Sequence, residues 1–68
     1  MSHADLAYQV RVKRCAAAQA HLTAAHRLLD VLAAATDPWE RSATGLEADI
    51  ELELARAQLQ AARRSEAP

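Results

Sequence analysis

Thr36-Asp37-Pro38-Trp39-Glu40 is the stretch that decides the fold, because it is the one place where two helical patterns must stop and restart. Asp37 precedes a proline, so its backbone is pushed out of the α region and no helix runs smoothly through it. Pro38 lacks an amide donor, which costs nothing at the first position of a helix, where that donor would be unpaired anyway. Asp37 is placed to accept from the exposed amides of the new helix. Glu40, three residues on, is placed to reach back and close a capping box, and its charge suits a helix N-terminus. The stretch predicts a helix over about 3–35, a turn at 36–37 and a helix over about 38–64. A link this short makes them antiparallel neighbours. The whole chain, 1–68, reads as a single all-α helical-hairpin domain.

Upstream of the turn, Ser2 and Asp5 form an S-x-x-D capping pattern that starts the first helix near His3. Neither Gly nor Pro interrupts Ala4 to Ala35, which allows roughly 50 Å of helix. Tyr8, Arg11, Cys15, Ala18, Leu22, Ala25, Leu29 and Leu32 form a coiled-coil heptad row with alternating spacings of three and four. Arg11 is its one polar member, and Cys15, lying on the row, reads as a small buried hydrophobe.

Downstream, Thr44 and Glu47 offer a second capping box that would restart the helix after Gly45. Trp39 and Ala43 nevertheless share a face with Leu46, Ile50, Ala57 and Ala61 if the helix is continuous, with Gly45 costing about 1 kcal/mol relative to Ala. A continuous helix is therefore expected. Ala48–Leu54 alternates apolar and polar residues as a strand would, but Glu, Leu and Ala are helix formers. As a helix, this segment carries two apolar stripes. Trp39, Leu46, Ile50, Leu54, Ala57 and Ala61 form one; Ala48, Leu52, Ala55, Leu59 and Ala62 form the other, roughly 160° away. A two-helix hairpin covers only one stripe, so the other calls for a second chain. The expected assembly is a four-helix bundle made by homodimerisation, with Leu52, Ala55, Leu59, Ala62, Tyr8 and Trp39 at the interface.

Sixty-eight residues make a thin core, and the usual remedies are disulfides, metals, oligomerisation or very regular helix packing. One cysteine excludes an internal disulfide and fits a reducing, cytoplasmic setting. No apolar run reaches the ~18 residues needed to span a bilayer. Alanine is abundant, Phe is absent, and a net charge of −1 gives no global pull towards nucleic acid or membrane.

Three kinds of chemistry compete with pure helix pairing. His3, His21, His26, Cys15 and the acidic run Glu47, Asp49, Glu51, Glu53 suggest metal binding, but helical sites need ligands three or four apart on one face. Across the turn, residues whose numbers sum to about 73 are level by the helical rise, which puts His26 beside Glu47. No metal ligands or cofactor are assigned, and an interchain His–carboxylate site ranks third. Cys15 has no base near it in the row, so no catalytic residue is assigned and an enzyme is not expected. Arg11, Lys13, Arg14, Arg56, Arg63 and Arg64 gather at the open end of the hairpin, where they could hold phosphates. Neither aromatic is placed for base stacking, so a nucleic-acid-binding regulator ranks second. The first reading is a non-catalytic oligomerisation, docking or regulatory adaptor module whose partner is a second copy or another helical protein. With the basic end and the acidic turn region at opposite ends, an antiparallel two-fold pairing is favoured, and it would bring Tyr8 of one chain near Trp39 of the other.

Overall fold

The computed structural model describes residues 2–64 and contains two helices, α1 (His3–Ala34) and α2 (Pro38–Arg64), packed antiparallel along their lengths. No strand occurs among the described residues, and α2 runs unbroken through Gly45. The N-terminus of α1 is closed reciprocally: Asp5 N donates to Ser2 Oγ at 3.2 Å, and Ser2 N donates to Asp5 Oδ2 at 3.4 Å. Ala35 leaves the helix in an extended conformation (φ −70°, ψ 130°), its amide still held by the Leu32 carbonyl.

The turn forms as Asp37-Pro38 dictates, with one difference. Trp39 N donates to Asp37 Oδ1 at 3.3 Å and Arg41 N to the Asp37 carbonyl at 2.9 Å, so Asp37 does cap the new helix. Glu40 does not close the expected box. The turn is tied instead by Arg41, whose Nη1 donates to the Thr36 carbonyl at 3.0 Å. A guanidinium one residue further on reaches a bare carbonyl that a carboxylate could not serve.

The two helices meet along small residues. Ala25 on α1 and Thr44, Ala48, Ala55 and Ala62 on α2 are the buried residues, at 2–8% exposure. Alanine at these positions lets the helices approach closely, and nothing larger is fully enclosed. Among the large apolar side chains of the described residues, only Leu28 and Leu32 are covered beyond the exposed range; the other leucines and valines with Ile50, Tyr8 and Trp39 are exposed, at 42–82%. The shape follows. The hairpin is a rod of 53 × 15 × 11 Å with a radius of gyration of 15.9 Å, where a compact chain of this length would have about 11 Å.

The seam on α1 is rotated from the heptad row read in the sequence. Half-buried or buried positions centre on Ala7, Arg11, Ala18, His21, Ala25, Leu28 and Leu32, with Ala17 and Ala24 half-buried beside them. Arg11, Ala18, Ala25 and Leu32 belong to both, but Tyr8, Cys15, Leu22 and Leu29 are each one residue past the seam and lie exposed. Cys15 is thus an exposed thiol, contrary to the expectation of burial, because the helix facing it is centred one residue earlier in each turn.

Candidate interaction surface

Two polar clasps fix the register. His21 Nδ1 lies 2.7 Å from Glu51 Oε2, both side chains partly buried, and Arg14 Nη1 donates to Gln58 Oε1 at 3.2 Å. Both pairs sum to 72. The register agrees with the sequence reading to within a residue, but the contact is made by His21 with Glu51, which lie in the seam, and not by His26, which is exposed beside it. Glu51, read from the sequence as one of an acidic run that suggested metal binding, has its partner inside the hairpin. The clasp is a two-group contact: among the described residues no three His, Cys, Asp or Glu side chains gather as metal ligands.

The flanks of the seam define two broad faces. On α1, the residues that follow seam positions are Tyr8, Cys15, Leu22 and Leu29; on α2 they are Gly45, Leu52 and Leu59. In an antiparallel pair these rows lie on the same side. A shallow depression of about 270 Å³ lined by Ala18, Leu22, Leu52, Ala55, Arg56 and Leu59 shows them meeting. This is the leucine face. The residues that precede seam positions are Val10, Ala17, Ala24 and Val31 on α1 and Glu47, Leu54 and Ala61 on α2. Their depression, about 250 Å³, is lined by Val10, Ala17, Lys13, Arg14 and Gln58. The first face carries four leucines with Arg56 at its edge, and the second carries Leu54, two valines and alanines with Glu47, Lys13 and Arg14 among them.

The interface residues read from the sequence divide accordingly. Leu52, Leu59 and Tyr8 lie on the leucine face and are exposed. Ala55 and Ala62 are covered by α1 at 4% and 5% exposure, so α1 rather than a second chain is packed against them. Their stripe is shared: its alanines face inward and its leucines sit at the seam's edge. Trp39, at 82% exposure, lies with Ser42, Ala43 and Leu46 on the side of α2 away from α1, so it does not join Tyr8 on the leucine face. At about 100° per residue, Trp39 and Leu46 share one direction and Leu52 and Leu59 another.

The six basic residues at the open end are spread around the rod. Arg14 is engaged with Gln58, and the Arg11 guanidinium sits 6.0 Å from the centre of the Tyr8 ring. Lys13 borders the Val10–Ala17 face, Arg56 borders the leucine face, and Arg63 and Arg64, successive residues about 100° apart, flank a small depression with Gln60. The sequence grouped them correctly by height along the hairpin but not by side. Seen as a surface, they make a collar rather than a stripe.

No helix of the described residues is long and apolar enough to cross a membrane. Comparison with protein-family models, with curated proteins and with solved structures returned no match.

Proposed function

We propose that this chain is a non-catalytic helix–helix interaction module, acting through the apolar rows that its own fold leaves uncovered. The observation that supports this reading is the inversion of side-chain size: alanines occupy the seam while Leu22, Leu29, Leu52 and Leu59 stand outside it, each about half exposed. Burying an alanine methyl contributes about 0.8 kcal/mol, so the four buried alanines supply only about 3 kcal/mol. Covering the leucines adds apolar burial beyond that of the seam, so the fold gains stability on association.

The test is sedimentation equilibrium and helicity measured together from low micromolar to millimolar protein. An interaction module shows mass and helix content rising together, or rising on addition of its partner. A fully helical, cooperatively melting single chain of 7.4 kDa at every concentration would contradict the reading, because the alanine seam would then suffice alone.

A further inference from the structure

We infer that the partner is a second copy of this chain, seated on the leucine face in an antiparallel two-fold arrangement that completes a four-helix bundle. This rests on the interaction-module reading above and names the surface, its occupant and their orientation. The heptad rows carry it first. On α1 the row is 8, 11, 15, 18, 22, 25, 29, 32, and on α2 its equivalent is 45, 48, 52, 55, 59, 62. In the hairpin the alanines of both rows lie in or beside the seam, while Tyr8, Leu22, Leu29, Leu52 and Leu59 are turned to one common side. Residues disposed this way point towards the centre of a four-helix bundle, of which one hairpin supplies half. A hairpin complete in itself would centre its large residues between its two helices.

The amount of surface is right for a second copy. A compact folded chain of this mass exposes about 4,200 Å². This chain exposes 5291 Å², a surplus of about 1,100 Å². Stable interfaces cover about 800 Å² on each partner. The other face is less suited to being that interface. Its α2 row includes Glu47, its depression holds Lys13, Arg14 and Gln58, and its alanines Ala17, Ala24 and Ala61 are already half-covered.

Charge and shape set the orientation. Six of the eight Lys and Arg residues (Arg11, Lys13, Arg14, Arg56, Arg63 and Arg64) lie towards the open end with Asp5, while Asp30, Asp37, Glu40, Glu47 and Asp49 outnumber Arg27 and Arg41 towards the turn. Antiparallel stacking brings unlike ends together twice; stacking with both turns at one end brings like ends together. With the two-fold axis level with Leu22 and Leu52, the central layer holds four leucines. In the layers on either side, Leu29 and Gly45 come level with the partner's Leu59 and Cys15, so each pairs two large residues with two small ones. Gly45 is open to receive them: a Cβ there would meet no atom within 4 Å.

Spin labels at Thr36→Cys, in a Cys15→Ser background, test the orientation by their separation. Thr36 lies fourteen residues from the axis level, so the 1.5 Å rise expects about 40 Å between labels in the antiparallel bundle. A separation under about 25 Å, set by interhelical spacing alone, overturns the orientation. Leu52→Glu against Leu54→Glu, compared by sedimentation, tests the face. Loss of association by more than about 100-fold for Leu52→Glu, and within a few-fold of wild type for Leu54→Glu, is expected from burial of a charge on one face alone. The reverse pattern overturns the leucine face while leaving an interaction module in place. A wild-type chain that stays single but takes up a different helical protein overturns the second copy and leaves the module reading standing; one that is stably folded alone overturns both.

Discussion

Truncating Leu52 to alanine separates a self-sufficient hairpin from one completed by a partner. Leu52 is 44% exposed, so α1 and α2 cover a little over half of it. Full burial of a leucine side chain is worth about 1.5–3 kcal/mol, so covering the remainder contributes about 0.7–1.3 kcal/mol per copy. A two-fold assembly contains two copies, and the truncation also leaves cavities that the surroundings fill only in part. The expected loss is about 2–3 kcal/mol of association, which weakens dimerisation roughly 30- to 150-fold. In an isolated hairpin the same change removes only the part already covered, about 1 kcal/mol, lowering the midpoint by roughly 4–8 °C at any concentration. The assay is thermal unfolding by circular dichroism over a hundredfold range of protein concentration. Wild type and Leu52→Ala are both expected to melt at midpoints that rise with concentration, the variant lower throughout. Midpoints independent of concentration in both proteins would refute the reasoning.

Four other substitutions probe parts of the same structure. Ala48→Leu forces three extra carbons into a seam position that is 4% exposed, and a destabilisation of about 1–3 kcal/mol is expected in urea unfolding; a neutral result would mean that the helices are not close-packed there. His21→Ala breaks the 2.7 Å contact to Glu51 and is expected to cost about 1 kcal/mol, with coupling to Glu51→Gln in a double-mutant cycle. His26→Ala serves as its control and should lie within about 0.5 kcal/mol of wild type; the opposite ranking would place His26 rather than His21 against α2. Gly45→Ala fits the open space at that position and is expected to gain about 1 kcal/mol of helix stability, read as a higher helix content under dilute conditions. A loss there under those conditions would show that the glycine is needed within the single chain.

What the sequence made legible was whatever depends on neighbours along the chain. Ser2 and Asp5 cap α1, Asp37-Pro38 stops one helix and starts the next, and Gly45 is carried through a continuous α2. Each is decided within a turn of helix, where spacing and backbone geometry leave little choice. The side-to-side details were not legible in the same way. Heptad spacing located Tyr8, Cys15, Leu22 and Leu29 on a row but could not say whether that row faces α2 or lies beside it. Ala18 and Ala25 allow close approach to Ala48 and Ala55 in either case, since they belong to both rows; the positions that turn inward are Ala7, His21 and Leu28, with His21 held by Glu51 and Arg14 by Gln58. This rotation of the seam exposed Cys15, moved the histidine clasp from His26 to His21 and divided the α2 stripe between seam and surface. The disposition of the basic collar around the rod was not legible for a related reason, since height along a hairpin follows from residue number while side depends on the seam's direction.

The most direct measurement is the solvent accessibility of individual leucine methyl groups in the intact protein, read by NMR with a soluble paramagnetic agent. At concentrations where the chain is folded, the methyls of Leu22, Leu29, Leu52 and Leu59 are expected to be shielded, while Leu46, on the outer side of α2 with Trp39, relaxes strongly. Leucine-face methyls that relax as strongly as those of Leu46 in a fully folded sample would contradict the central claim, for the rows would then be uncovered in solution.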